Sequence, residues 1–297
     1  MLRNLTNLIF TSLLFIIILI SLWKNISNNG LDDRVGEPYS SPKITSTHIL
    51  PLGTDDNGND YLVKFSSAFR FNLLISTISS TVFIIVSIIL GLGIGFKSDN
   101  ITKSYKIFSI NYIKILYFHF CSLITDIFQS IPILIVLLIG IIFFQSHLNN
   151  PNHSLFFTFL IIALFSSPKL SVVLGNHIKH LNREEFILAT KASGVSMFTL
   201  IGKHILYYES KGIIVLQFIN FFLFTIMIEI FLGFFGKGAN GLSIGKLIGK
   251  DNFLFGAWTY LINPQQKFTL VFPLIFVLVL CLVIRWLAHR VIILTNN

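Results

Sequence analysis

Long apolar runs with almost no charge are the feature that most constrains this chain. Five of them approach or exceed the roughly 20 residues that a helix needs to cross a lipid bilayer. They cover residues 4–23, 71–96, 127–145, 212–232 and 268–284. A sixth run, 154–174, is interrupted by Pro168 and Lys169. Because lipid cannot hydrogen-bond to backbone groups, the sequence predicts an all-α integral membrane protein with about six transmembrane helices.

Composition supports a membrane protein over a soluble one. Hydrophobic residues make up 54% of the chain and charged residues 12%, and the mean hydropathy is +0.78. A soluble domain of 297 residues needs a larger polar surface than this. No small-residue cleavage site follows the first run, and the polar SLWKNISNNG comes next. Residues 1–24 are therefore expected to be an uncleaved N-terminal anchor.

The distribution of Lys and Arg indicates the orientation, because these residues accumulate in cytoplasmic loops. With the N terminus inside, the inner segments hold most of the 22 basic residues, whereas six acids fall in the first outer loop. These acids are Asp32, Asp33, Glu37, Asp55, Asp56 and Asp60. Both termini are predicted to be cytoplasmic. The predicted domains are the anchor (1–24), an outer loop (25–70), a five-helix core (71–288) with an inner loop at 176–208, and a tail (289–297).

Several motifs that suggest other functions fail on spacing or setting. The net charge of +9 is scattered through connecting loops and forms no nucleic-acid surface. GLSIGKL at 241–247 has too short a glycine spacing for a phosphate-binding loop, and Leu247 replaces its hydroxyl residue. We therefore predict no ATPase site, catalytic residue or cofactor. GLGIG at 91–95 favours close helix packing, and His177 and His180 favour a structural or solvated pair over a metal site.

One compact charged stretch, REEFILATKASG at 183–194, interrupts the apolar sequence. It predicts a helix over 183–193, with Glu184 and Glu185 in the first turn and Gly194 as a left-handed terminus. In the following SMFTLIGKHIL, Phe198, Ile201 and Ile205 recur at helical spacing. Two short helices joined at Gly194 would project from the cytoplasmic surface; the alternative is a polar loop lying along the lipid headgroups.

The outer loop contains a second polar stretch, GTDDNGND at 53–60. Its acids are spaced somewhat like those of a calcium loop, but the terminal bidentate glutamate is missing. Turn-forming residues dominate the stretch. We expect Asp55 and Asp60 to cap turns in a rigid scaffold.

The charged stretch resembles the cytoplasmic coupling loop of the inner-membrane permease subunits of ABC importers. Aligned on Gly194, the chain matches that pattern at Glu185 and Ala189, with Lys191 at a commonly basic position. KHIL at 203–206 resembles the run that follows, whereas two tyrosines replace the next proline and asparagine. The resemblance implies a cytoplasmic coupling-helix loop that docks on ATPase subunits.

Three further blocks resemble the dipeptide, oligopeptide and nickel group of these permeases. The block at 48–73 resembles its outer-loop motif, that at 126–132 the lead-in to its third span, and EIFLGFFGKG at 229–238 its FLGLG segment. The matching outer-loop residues are His48, Leu52, Gly53, Thr54, Asp55, Gly58, Asp60, Arg70 and Leu73. Asn59 and Lys237 depart from the pattern, and no C-terminal motif of the group follows Arg285.

The resemblance implies the permease subunit of an ATP-driven importer in the bacterial cytoplasmic membrane, with peptides as the first expectation for its solute. Its implied partners are a second homologous permease, cytoplasmic ATPases, an extracytoplasmic solute-binding protein and membrane lipid. The residues implied for ATPase coupling are Glu185, Ala189, Lys191 and Gly194. Those implied for the translocation pathway are Glu229, Gly233, Gly236 and Gly238. Those implied for binding-protein contact are Gly53, Thr54, Asp55, Gly58, Asp60 and Arg70.

Three alternatives remain open at this point. The solute is nickel or another small molecule, because peptide and nickel members share these motifs. The protein is an autonomous secondary transporter, which would need an intramembrane ion relay. Or it is a degenerate structural subunit, whose deletion would leave uptake intact.

Overall fold

In the residues that the computed structural model describes, the fold is helical apart from one short hairpin. The structure describes residues 2–26, 29–44, 49–95, 108–238, 243–249 and 267–296. Outside these ranges lie the motif residue His48, the first two residues of GLSIGKL, and three of the basic residues counted in the inner segments, Lys97, Lys103 and Lys106. The predicted all-α fold class is confirmed.

Long helices alternate with short helices and loops along the chain. The long helices are α1 (Leu2–Ile26), α2 (Tyr61–Gly95), α3 (Phe108–Ser130), α4 (Ile133–His147), α5 (Pro151–Leu181), α8 (Lys211–Phe234) and α10 (Lys267–Asn296). The short ones are α6 (Glu185–Ala192), α7 (Met197–Thr199), a π-helix (Leu200–Glu209) and α9 (Ile244–Gly249). Strands β1 (Lys43–Ile44) and β2 (Ile49–Leu50) form an antiparallel hairpin that pairs Ile44 with Ile49.

Four helical segments in the described part of the chain are long and apolar enough to cross a membrane: Tyr61–Gly95, Pro151–Leu181, Lys211–Phe234 and Val271–Val291. A bent pair, Leu116–Ser130 with Ile133–His147, supplies a fifth if it counts as one span. The apolar part of α1, Ile9–Trp23, is shorter. The chain is thus a multi-pass membrane protein, and α1 and the bent pair account for the difference from six predicted spans.

The predicted span at 127–145 is wrong in detail. The structure divides it between α3 and α4, which meet at an angle of 85°. Pro132 lies at the break; it has no N–H to donate and disfavours helical backbone at the residue before it. The helix before the break begins at Phe108, well ahead of residue 127, where the predicted span starts.

Helix α5 continues through Pro168, which the sequence analysis treats as an interruption. Proline leaves the carbonyl four residues earlier without its usual donor. Here that carbonyl, Leu164 O, accepts a hydrogen bond from the Ser167 hydroxyl at 2.8 Å. The Ser87 hydroxyl donates to Ser167 O at 3.0 Å. Neighbouring hydroxyl groups therefore satisfy the backbone at the proline, as a helix in an apolar setting requires.

The chain divides into two compact units. The first comprises Met1–Thr77, Leu148–Phe156 and Leu223–Leu287; the second comprises Ile78–His147, Phe157–Phe222 and Ala288–Asn297. In the first unit, edge-to-face contacts join Phe65 and Phe69 of α2 to Phe276 of α10, each with ring centroids 4.9 Å apart. Aromatic pairs of this geometry add to the stabilisation from burial alone.

In the second unit, glycines allow α2 and α5 to pack closely. A Cβ added to Gly95 would lie 2.6 Å from Ile178 Cβ, and one added to Gly175 would lie 2.7 Å from Ile94 Cγ2. Real Cβ atoms do not approach that closely, so only glycine fits without movement. This confirms the interpretation of GLGIG as a helix-packing motif, the kind of contact that small residues permit between membrane helices.

We expect Gly175→Val to destabilise the protein by about 1–3 kcal/mol, because the new side chain overpacks the contact with α2. The measurement is thermal unfolding of the purified protein in detergent. Gly212→Ala is the matched control, since a Cβ there meets nothing within 4 Å. Equal unfolding temperatures for the two variants would contradict the close packing of α2 on α5.

Candidate functional sites

The charged stretch forms a short helix with a sharp end. Glu184 precedes α6 in an extended conformation, and its carbonyl accepts the first helical bonds, from the N–H groups of Ile187 and Leu188 at 3.1 Å. Ser193 closes the helix, and Gly194 follows with φ +79°. That conformation favours glycine over residues with a Cβ. The predicted helix and its left-handed glycine are confirmed, with α6 slightly shorter than expected.

Most residues of α6 are exposed. Ile187 is the single buried residue of this helix. The four predicted coupling residues, Glu185, Ala189, Lys191 and Gly194, are all exposed. Within the part of the chain that the structure describes, Glu185 makes no side-chain hydrogen bond or ion pair. Its carboxylate is therefore available to a partner.

The second short helix differs from the prediction. Ser196 caps α7 by accepting from Thr199 N at 3.3 Å, but the chain then continues as a π-helix from Leu200 to Glu209. Its buried residues are Leu200 and Ile205, which are five positions apart, matching the i→i+5 hydrogen bonds of a π-helix. Phe198, which α-helical spacing groups with Ile201 and Ile205, is 91% exposed, whereas Ile205 is buried.

A buried cluster, called here the coupling core, holds these helices in place. It consists of Ile178, Leu181, Ile187, Leu200 and Ile205, with Leu92 of α2 packed against it. The cluster joins α6 and the π-helix to the ends of α5 and α2. A displacement of α6 would therefore reach two long helices through packed side chains, since well-packed interiors transmit strain.

Exposed apolar side chains surround the turn at Gly194. We call them the apolar patch: Phe186, Leu188, Val195, Met197 and Phe198, which are between 37% and 91% exposed. A group of large apolar side chains next to polar residues commonly marks an interaction site. The apolar patch, together with the exposed glycine turn and the charged residues, distinguishes α6 and α7 from an ordinary polar loop.

The outer-loop stretch 53–60 folds as a compact turn. Gly53 and Gly58 have φ +75° and +81°, and a Cβ on either would meet the carbonyl oxygen of Ser40 or Gly36. Both positions therefore require glycine for conformation and for space. Thr54 is 1% exposed, and its hydroxyl accepts from Ser40 N at 2.8 Å. These residues tie the stretch to residues 36–40.

Asp55 and Asp60, the two acids expected to cap turns, are buried and make their hydrogen bonds within or next to this stretch. Asp55 Oδ1 accepts from the N–H groups of Asn57 and Asn59 at 2.9 and 2.8 Å. Asp55 Oδ2 pairs with the ammonium group of Lys64, a residue the sequence analysis did not identify. Asp60 caps α2 by accepting from Leu62 N at 3.0 Å. The expected capping geometry is thus present.

Burial of Asp60 raises its pKa above the ordinary 3.8, although a hydrogen bond from Asn29 Nδ2 at 2.9 Å opposes the shift. Asp55 and Asp60 are only 5% and 1% exposed, so neither presents its carboxylate as an outer surface. Arg70 is intermediate. The exposed acids of the outer loop are Asp32, Asp33 and Glu37.

Asp55→Ala is expected to destabilise the outer segment by about 3 kcal/mol, because it would remove the carboxylate that pairs with the largely buried Lys64 ammonium group. We expect faster proteolysis of residues 29–60 at native temperature, measured on the purified protein. Asp32→Ala, which removes an exposed acid of the same segment, should cleave at the parental rate. Parental resistance in Asp55→Ala would show that the ion pair contributes little.

Glu229 lies fully buried on α8, with 0% exposure. Its Oε2 accepts a hydrogen bond from Asn72 Nδ2 of α2 at 2.9 Å, and the Ser76 hydroxyl donates to Asn72 Oδ1 at 3.3 Å. Oε1 has no hydrogen-bonding partner among the described residues, although Ser243 lies close to the carboxyl group. The acid is thus enclosed by residues of the first unit.

The predicted pathway glycines have distinct local roles. Gly236 has φ +74°, and the bonds Gly236 N to Gly233 O (3.0 Å) and Lys237 N to Leu232 O (2.8 Å) form a Schellman motif that ends α8. A Cβ on Gly233 would lie 2.9 Å from Gly245 Cα, and Gly238 is similarly enclosed by Ser243. These glycines thus end α8 and allow it to pack closely against residues 243–245 at the start of α9.

These features define the class: a helical, multi-pass membrane protein with two short helices, α6 and α7, whose residues are mostly exposed. Residues 107–292 match the family model described as the binding-protein-dependent transport system inner membrane component. That match covers more than half of the chain, and the protein belongs to this family. It is therefore an inner-membrane permease component of an ABC importer. No curated protein sequence matches the chain significantly.

Solved structures of one transporter share the fold. A structure titled "Inward facing conformations of the MetNI methionine ABC transporter", in its native crystal form, has a TM-score of 0.55 at 18% identity, covering 78% of this chain and 96% of that chain. The corresponding selenomethionine-soak crystal form gives 0.51 at 14% identity, covering 77% and 94%. At such identities the likeness shows the fold alone.

The family and the shared fold are those of transport subunits without an ATPase site of their own. The chain is accordingly not an enzyme. Within GLSIGKL, Ser243 caps α9, its hydroxyl accepting from Lys246 N at 3.3 Å. Family membership implies ATPase and binding-protein partners in general terms.

Proposed function

We propose that this chain forms a peptide pathway together with a second homologous permease and receives the force of ATP hydrolysis through residues 183–209. The observation that carries the proposal is the exposure of six of the eight residues of α6, with only Ile187 buried and Thr190 half-buried. A helix so poorly buried in its own chain gains little stability from tertiary packing. Docking on an ATPase would supply that packing.

The chemistry of the exposed residues fits a groove on a soluble ATPase. Phe198 supplies a large apolar anchor, the type of residue that dominates binding energy at interfaces. Glu185 supplies a carboxylate for a basic residue of the partner, and Ala189 permits close approach of the helix. Lys191 bonds within the chain, to Asn182 Oδ1 at 3.2 Å. Closure of two ATPases would move α6, and the coupling core would carry that motion into α5 and α2.

The predicted outer segment would receive the solute-binding protein. Its surface there consists of the exposed acids Asp32, Asp33 and Glu37, supported by the compact turn at 53–60. In this proposal Gly53, Thr54, Asp55, Gly58, Asp60 and Arg70 shape the surface instead of forming its outer face. Gly233, Gly236, Gly238 and Glu229 fix the end of α8 beside the pathway. Both termini lie in the cytoplasm, and the membrane is the bacterial cytoplasmic membrane.

Peptide is the proposed solute because the outer-loop and FLGLG-like blocks resemble the peptide and nickel group. Nickel is the second candidate on the same residues, and methionine enters as a third because a methionine transporter shares the fold. An ion-driven transporter would need a chain of charged groups across the membrane. Glu229 is the one acid on α8, which offers no such chain.

The test is purification of the complex in mild detergent, followed by identification of its subunits and any bound solute by mass spectrometry. We expect a second permease, ATPase subunits and a binding protein carrying peptides. Nickel or methionine in the binding protein would replace the peptide assignment. Solute uptake into vesicles that contain this chain alone would contradict the proposed role altogether.

A further inference from the structure

The structure assigns a positioning role in coupling to Asn182, which links the coupling helix directly to the inner end of α2. The assignment rests on the proposed docking of α6. Asn182 lies between α5 and α6, and its side chain is partly buried. Its Nδ2 donates to Gly95 O, the last residue of α2, at 3.4 Å. Its Oδ1 accepts from Lys191 Nζ of α6 at 3.2 Å.

Both hydrogen bonds of Asn182 are made at the end of a helix. The last carbonyl groups of a helix have no partner within that helix, and Asn182 satisfies the one at Gly95. Lys191 lies in the last turn of α6, so its ammonium group follows any displacement of this helix. A single amide therefore joins a carbonyl group of α2 to a cation of α6.

The surrounding packing makes this link short and stiff. Gly95 lies so close to α5 that a Cβ would come within 2.6 Å of Ile178 Cβ. Ile178 belongs to the coupling core, which also contains Ile187 of α6. The apolar contacts hold the helices together, whereas the amide bonds set where α6 lies relative to the end of α2. Without them, α6 retains its apolar attachment but loses a fixed register.

Asn182→Ala is expected to uncouple the movement of α6 from that of α2 without releasing the ATPases. Spin labels at Ala192 of α6 and Ile85 of α2, both exposed, report their separation in the intact complex after Cys121 and Cys281 are replaced by alanine. In the parent, the distance distribution should be unchanged between the nucleotide-free and ATP–vanadate states. In Asn182→Ala, it should broaden and shift when ATP and vanadate are added.

Three further variants separate this role from general damage. Asn182→Asp keeps the acceptor for Lys191 but loses the donor to Gly95, and it should show part of the shift. Lys191→Met combined with Asn182→Ala should be no worse than Asn182→Ala alone, because the two act through one link. Asn176→Ala, an exposed amide on α5, should behave as the parent.

An unchanged distance distribution in Asn182→Ala in both nucleotide states would overturn the inference. ATPase subunits retained in that complex would leave the docking proposal standing. A second outcome would also overturn the inference: the Asn182→Ala complex loses its ATPases while the label on α6 stays as immobile as in the parent. Asn182 would then belong to the docking surface.

Discussion

Gly194→Val is expected to abolish transport while the protein still inserts at parental levels. Gly194 has φ +79°, a conformation that a β-branched residue reaches only at high cost. A Cβ there meets nothing within 4 Å, so the effect would come from the backbone and not from a clash. The turn between α6 and α7 would change, and Glu185 and Phe198 would no longer face one partner together. The measurement is uptake of the solute identified with the binding protein.

Gly194→Asn provides the matched control for that experiment. Asparagine adopts the left-handed conformation far more readily than valine, so Gly194→Asn should retain most of the uptake. Glu185→Lys tests the same surface by reversing the charge of an exposed acid. It should lower ATPase co-purification about tenfold or more, as expected when a charged pair at an interface is broken.

Parental uptake in both Gly194→Val and Glu185→Lys would mean that residues 183–209 are a loop without a coupling role.

Glu229→Leu is the second substitution with a large expected effect. It removes the acceptor of Asn72 Nδ2, which is 1% exposed, and leaving that donor unpaired costs about 1–3 kcal/mol. We expect lower amounts of folded protein in the membrane and little uptake. Glu229→Gln keeps an acceptor for Asn72 and adds a donor toward Ser243, so it should fold and transport close to the parent.

The double variant Asn72→Leu with Glu229→Leu completes the comparison. Replacing both members of a buried hydrogen-bonded pair by apolar groups is often nearly neutral, so the double variant should be more stable than Glu229→Leu alone. Stability is measured by thermal unfolding in detergent. Loss of uptake in a stably folded Glu229→Gln would instead show that transport needs the carboxylate itself.

Local features of the coupling region could be predicted from the sequence. The helix at α6 and the left-handed Gly194 follow from residues within one or two turns of each other, because helix ends are set by local backbone chemistry. The face of the next helix could not be predicted in the same way. Its burial of Leu200 and Ile205 depends on a π-helix, and α-helical spacing groups the exposed Phe198 with the buried Ile205.

Contacts between residues far apart in the sequence could not be predicted from hydrophobic periodicity. Asn72 is 157 positions from Glu229, and nothing in either local sequence indicates the other. Asn182 contacts Gly95, 87 positions away. The predicted span at 127–145 runs through Pro132, where the structure has a bend of 85°. The sequence predicts no helix over residues 108–126, because His119 and Asp126 interrupt their apolar character. Tertiary packing sets all of these.

The most direct test of the central claim is photo-cross-linking from position 198 in intact membranes. Phe198 is replaced by p-benzoylphenylalanine, and the cross-linked products are identified by mass spectrometry. The proposed coupling surface predicts a single main product that joins this chain to an ABC-type ATPase subunit, with a yield that changes when ATP and vanadate are added. Cross-links to lipid alone, in a complex shown to contain the ATPases, would contradict the claim.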